Sequence, residues 1–122
     1  MSEVTIIGID LAKCAFQFHG AGSNGSVLFR KKLSQDQILA FVAGQPRCVV
    51  AMEACATAHG WGREFEKLVR EVRVIPPIYV KPFVKRQKYD MADAEVIVEA
   101  ALRPTMRFVA VKTETPQAPA LL

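Results

Sequence analysis

Two apolar runs, each ending on a carboxylate, constrain this chain more than any other feature. VTIIGID occupies residues 4–10 and CVVAME occupies 48–53. Each is short, rich in β-branched residues and apolar without alternation, so each reads as a strand buried on both faces. Such strands belong in the middle of a sheet that helices cover. A carboxylate in that setting is costly unless something satisfies it. By the two-residue strand period, Asp10 shares a face with Gly8 and Ile6, and Glu53 shares one with Val49 and Ala51.

The remaining segments supply the rest of a sheet. CAFQFHGAG (14–22) alternates Phe16 and Phe18 with Gln17 and His19, a second strand, and GSNG marks the turn after it. SVLFRKKLS (26–34) is a third strand that leaves the core through basic residues. These three segments read as an antiparallel meander. The period then changes. Ser34 is placed to cap a helix whose Ile38, Leu39, Phe41 and Val42 share one face, and GQP ends it. RCVVAMEA (47–54) is the next strand. A helix through Phe65, Leu68 and Val69 follows, then the strand EVRVIPP (71–77), stopped by its prolines. A basic segment, 78–88, leads to a last helix from Asp90 to about Leu102, closed by Pro104; nothing patterned follows Val111. Three strands, helix, strand, helix, strand, helix is the element order of an α/β, ribonuclease H-like fold: a mixed five-stranded sheet with helices on its faces. In that order the first and fourth strands are parallel neighbours about 4.8 Å apart. Asp10 and Glu53 then meet at one end of the sheet.

With 122 residues, the chain is expected to form one domain. No apolar run approaches the roughly 20 residues that span a bilayer, so no membrane partner is expected. The N-terminus lacks the charged and small-residue pattern of a signal peptide. Three cysteines, Cys14, Cys48 and Cys55, sit in apolar surroundings, which fits a reducing compartment rather than a disulfide framework. The net charge of +4 is weak evidence for a polyanionic partner, but Lys81, Lys85, Arg86 and Lys88 are crowded just before Asp90.

Asp90 and Asp93 admit two readings. They can start a helix, Asp90 as N-cap and Asp93 in the first turn against the dipole. Alternatively, being three apart on one helix face, they join Asp10 and Glu53. Two carboxylates held together repel unless a cation intervenes or one is protonated. Carboxylate oxygens suit Mg²⁺ or Mn²⁺, and four of them would suffice for a pair of ions about 4 Å apart, the arrangement of two-metal phosphoryl transfer. Other candidates are weaker. Cys55 and His59 have one-turn zinc spacing without a second pair, so His59, Gly60 and Trp61 read as packing beside Glu53. Tyr79, Phe83 and Tyr89 are interleaved with the basic residues, suited either to stacking on bases or to the core. Lys13 follows Asp10 closely enough to neutralise the acids or meet a phosphate.

IGIDLAKCAFQFHG, VVAMEACATAHGW and VKRQKYDMADAEVIVEAALRPTMRFVAVKT, in this order and covering most of residues 4–113, resemble the N-terminal domain of the DEDD insertion-sequence transposases. This is the insertion-sequence one-hundred-and-ten family, kin to the Piv DNA invertases. The resemblance implies a RuvC-like domain over 1–113 with a loose tail over 114–122. It implies a tetrad of Asp10, Glu53, Asp90 and Asp93 that holds Mg²⁺ or Mn²⁺ and catalyses DNA strand cleavage and transfer. Lys13, Lys81, Lys85, Arg86 and Lys88 are the expected nucleic-acid contacts. Transposon-end and target DNA, a structured guide RNA, a homo-oligomer and a nucleoid-associated place in the bacterial cytoplasm are further implications. Family members continue into a domain with a serine nucleophile; here Pro116 and Pro119 interrupt the expected helix and none of Ser2, Ser23, Ser26 and Ser34 fits its motif. The chain is therefore expected to be incomplete on its own. Two rivals remain: a non-catalytic nucleic-acid-binding or oligomerisation fragment, and an actin-like sugar kinase or ATPase. The latter wants Gly and Ser/Thr in the turn after its first acid, where this chain has LAKCAF.

Overall fold

A computed structural model of the chain describes residues 3–11, 15–68, 70–80 and 90–112. The elements are β1 (Ile6–Asp10), β2 (Ala15–Ala21), β3 (Val27–Ser34), α1 (Gln35–Ala43), β4 (Val49–Glu53), α2 (Ala58–Lys67), β5 (Glu71–Ile75) and α3 (Asp90–Ala101), with a 3₁₀ turn at Pro77–Tyr79. One five-stranded sheet has the order β3-β2-β1-β4-β5. β2 runs antiparallel to both β1 and β3, while β1, β4 and β5 are mutually parallel. The expected mixed sheet is therefore present, with β1 and β4 side by side at its centre.

Local chemistry explains the element ends. In the β2–β3 turn, Gly25 takes a φ of 84°, which a side chain would resist, and the Asn24 carboxamide oxygen accepts from the Ser26 backbone N–H at 3.0 Å. Ser34 is the N-cap of α1, and the Gln37 side chain accepts from its backbone N–H at 3.0 Å, half of a capping box. α2 ends at Lys67, with Leu68 as its cap rather than a further helical residue. β5 stops where Pro76 has no N–H to continue the ladder.

The sheet separates two apolar layers. On one face Ile7, Ile9, Phe16, Phe18, Val50 and Met52 pack with Ile38 and Val42 of α1 and Phe65 of α2. On the other, Ile6, Ala21, Ala51 and Ile75 pack with Ile97, Val98 and Ala101 of α3. Aromatic pairs tie the first layer together: Phe16 meets Trp61 edge-on at 5.7 Å, and Phe18 meets Phe41 at 5.5 Å. Burying each large side chain contributes about 2–3 kcal/mol, so this layer carries much of the stability. Residues 109–112 close against α2 and β5. The Val109 N–H donates to the Val74 carbonyl at 2.7 Å, and the Lys112 N–H donates to His59 Nδ1 at 3.1 Å.

Arg70 fastens the end of α1 to β5. Its guanidinium donates to the carbonyls of Val42 (3.1 Å), Gln45 (2.8 Å) and Leu68 (2.7 Å). Bonds from a charged donor to carbonyls left open at a helix end are worth more than neutral ones. We expect Arg70→Met to lose about 3 kcal/mol in urea unfolding, whereas Arg47→Met on the exposed surface loses less than about 1 kcal/mol.

Candidate active site

The parallel register of β1 and β4 pairs Ile9 with Met52, so the next residues, Asp10 and Glu53, end neighbouring strands at the same edge of the sheet. Both line a cavity of about 250 Å³ together with Leu11, Ala54, Cys55 and Pro77. Each is half-buried. The preceding residues on their strands are almost entirely inaccessible, so the carboxylates mark where the core gives way to solvent. The Ala54 N–H donates to the Ile75 carbonyl at 2.8 Å, which holds the backbone just past Glu53 to β5.

Gly8 sets how α3 meets this edge. A β-carbon there would lie 2.6 Å from the Ala94 carbonyl oxygen and 3.2 Å from the Val98 backbone nitrogen. The helix backbone thus rests directly on β1, two residues before Asp10. From that contact α3 crosses the sheet to β5, where Arg73 donates to the Ala101 carbonyl at 2.9 Å. Asp90 and Asp93 are in the first turn of α3. Their positions stand four residues before Ala94 and Ile97, both on the sheet-facing side of the helix. The side chains of 90–93 lie outside the described residues, as do Lys13, Lys81, Phe83, Lys85, Arg86, Lys88, Tyr89 and the tail after 112. Among the described residues, no three or more Asp, Glu, His or Cys side chains are grouped to hold a metal ion. Of the four expected acids, only Asp10 and Glu53 have described side chains.

Two polar residues of β2 belong to this region and carry no local sign of it. Gln17 pairs with Asp10 in the antiparallel register, and His19 pairs with Gly8. Both are buried, at 4 % and 3 % exposure, and Gln17 Oε1 and His19 Nδ1 have no hydrogen-bond partner among the described residues. Their alternation with Phe16 and Phe18 suggests a wet face, but α3 covers it. Burial pushes the His19 imidazole below its ordinary pKa of 6.5; the charge of Glu95 opposes this and that of Arg30 adds to it. The folded state therefore binds this proton less readily than the unfolded chain. Stability contributed by neutral His19 is complete above pH 6.5 and is lost as pH falls through the lowered value. Wild-type chain is expected to weaken in urea below pH 6.5 more steeply than a His19→Leu variant; parallel pH profiles for the two would contradict this.

Cys48 is buried and Cys55 exposed, both as free thiols, and Cys14 lies outside the described residues. Burial raises the Cys48 thiol pKa, which keeps it unreactive. His59 Nδ1 is taken up by the Lys112 backbone, so it serves packing rather than a zinc pair. No helix among the described residues is long and apolar enough to cross a membrane.

A mixed sheet of this order is the ribonuclease H-like fold. The fold is that of RuvC: the structure of T. thermophilus RuvC in complex with a Holliday junction substrate superposes with a TM-score of 0.61 at 15% identity, over 85% of this chain and 98% of that one. In sequence, the chain is 48% identical over 118 residues to the transposase for insertion sequence element IS1328 of Yersinia enterocolitica. It is 40% identical over 113 residues to the transposase for insertion sequence element IS1111A of Coxiella burnetii. These alignments take in 97% and 93% of this chain but 35% and 31% of the relatives, so the chain spans about a third of their length. No protein-family model matches it. Together, these comparisons show a RuvC-like fold and similarity in sequence to part of the insertion-sequence transposases.

Proposed function

We propose that this chain is the catalytic domain of a DNA transposase, and that Asp10, Glu53, Asp90 and Asp93 hold divalent cations for cleavage and transfer of DNA strands. The observation that carries the reading is the meeting of Asp10 and Glu53 at one cavity, at the ends of adjacent parallel strands. The names of the transposase relatives, and the junction DNA bound by T. thermophilus RuvC, support DNA as the substrate.

The donor set fits Mg²⁺ or Mn²⁺, since the four proposed ligands are all carboxylates, whose oxygens are hard donors, although the Cys55 thiol lines the same cavity. Such ions, when bound, supply charge neutralisation at the phosphate and activation of the attacking oxygen. The chain's own residues supply the frame. β1 and β4 fix two carboxylates on backbone that cannot shift without breaking the central ladder. α3 sets its first turn, with Asp90 and Asp93, by the contact at Gly8. The apolar residues beneath keep water out of the strands. Lys13, Lys81, Lys85, Arg86 and Lys88 are proposed to meet the DNA backbone. On the family resemblance alone, the proposal extends to residues 1–113 as the domain, to a structured guide RNA, to a homo-oligomer and to a nucleoid-associated place in the cell.

The reading is tested with end-labelled DNA carrying a junction or transposon end. Cleavage in Mg²⁺ or Mn²⁺ and none in chelator is the expected result. Binding without cleavage under all conditions would leave a nucleic-acid-binding fragment instead. In a crystal soaked with Mn²⁺, anomalous density is expected among the four acids; density only elsewhere would remove the site.

A further inference from the structure

The basic residues expected to meet nucleic acid are all outside the described part of the chain, but the sheet carries another pair. Across the ladders, Asp10 pairs with Gln17 and Gln17 pairs with Lys32. One row along, Gly8 pairs with His19 and His19 with Arg30. Cross-strand partners share a face. Arg30 and Lys32 therefore stand on the same face of the sheet as Asp10, two strands away, at about 10 Å between backbones. α3 covers β1 and β2 on that face, burying Gln17 and His19, and leaves β3 open: Arg30 and Lys32 are exposed. Neither makes an ion pair among the described residues. The acid end of the sheet and an open cationic edge thus lie on the same side of the sheet, on either side of the strip that α3 covers.

Lys31, between the two, belongs to the opposite face. It pairs with Phe18, and its ammonium lies 5.7 Å from the Phe41 ring of α1. The strand thus has two cations on the acid-site side and one on the other.

We infer that Arg30 and Lys32 bind the phosphodiester backbone of the DNA substrate and lead it over the β3 edge to the Asp10–Glu53 cavity. This rests on the DNA-cleaving reading above and adds to it a path for the strand. A polyanion is the occupant that the charge of this edge selects, since β3 carries three cations and no acid. Cations on an edge strand also discourage pairing with a second sheet. That simpler role depends on charge at the edge whichever face holds it, so it treats Lys31 like its neighbours. Contact with DNA does not.

The test is fluorescence anisotropy of the 122-residue chain with a fluorescein-labelled DNA duplex across a salt series. Each phosphate contact contributes about 0.9 to the slope of log K against log salt. The double variant Arg30→Gln/Lys32→Gln is expected to lose roughly 1.8 from that slope, and Lys31→Gln to leave it unchanged. All three side chains are exposed, and matching urea midpoints would establish that the variants fold. An unchanged slope in the double variant overturns the inference while the DNA-cleaving reading stands. Equal losses for Lys31→Gln and Lys32→Gln also overturn it, because the face would then not matter. Slope loss on an RNA duplex but not on DNA overturns it in favour of an RNA path. No binding of DNA by the wild-type chain overturns both the inference and the proposed function.

Discussion

Asp10→Asn is expected to remove the stabilisation that Mn²⁺ gives the folded chain, and with it divalent-ion-dependent cleavage of DNA. A ligand that binds only the native state at a hundred times its Kd stabilises by about 2.7 kcal/mol. For a domain of this size that raises the melting temperature by roughly 10 °C. Asparagine keeps the shape of aspartate and stays within hydrogen-bonding reach of whatever Asp10 contacts, so the variant should fold. It lacks the anionic oxygen that a hard cation requires. The melting temperature of the variant should therefore not respond to Mn²⁺. Cleavage should fall by about a thousandfold, the equivalent of about 4 kcal/mol of lost transition-state stabilisation. Glu53→Gln should behave alike, because both carboxylates line the same cavity. A full Mn²⁺ shift in Asp10→Asn would place any ion elsewhere and remove Asp10 from the site. Cleavage that persists with the shift abolished would separate ion binding from chemistry.

Gly8→Ala should have the largest effect on the fold of any single-atom addition in β1. The new β-carbon would fall 2.6 Å from the Ala94 carbonyl oxygen and equally close to a Val98 methyl. The methyl can rotate away, but the carbonyl belongs to the helix backbone and moves only if α3 moves. Overpacking a buried contact costs 1–3 kcal/mol where side chains give way, so about 3 kcal/mol is expected here, or roughly 12 °C in melting temperature. The consequence reaches function as well. Lifting α3 off β1 carries its first turn, with Asp90 and Asp93, away from the strand ends. Mn²⁺ stabilisation should therefore weaken in Gly8→Ala even at temperatures where the variant is folded, and hydrogen exchange in α3 should rise before that in β1. Unchanged exchange in α3 would show that the contact is slack.

Much of this architecture is legible in the chain because its central strands are covered on both faces. Continuous burial leaves continuous apolarity, as in Ile6–Ile9 and Val50–Met52, and a charged residue ending such a run stands out. The helix starting at Ser34 is equally plain, since its cap and its apolar stripe are both local. Gln17 and His19 show where reading fails. Alternation with Phe16 and Phe18 says only that the strand has two unlike faces. It does not say that a helix more than seventy positions further on will cover the polar one. Arg30 and Lys32 are lost in a run of three cations for the same reason: FRKKL reveals charge, but not which side of the sheet each charge occupies. The helix-start reading of Asp90 and Asp93 and their proposed role as ligands also share one local pattern, so no inspection of that helix alone separates them.

The amino-acid sequence by itself determined the order of strands and helices, the two carboxylates ending buried strands, and kinship with insertion-sequence transposases. These follow from short-range periodicity and from motifs that stand in a recognisable order. Only the tertiary structure decided that Asp10, Gln17 and Lys32 form one row, that α3 rests on Gly8, and that Gln17 and His19 are dry. Cross-strand register and the choice of which helix covers which face arise from contacts between segments far apart in the chain, and such contacts leave no period for local reading to detect.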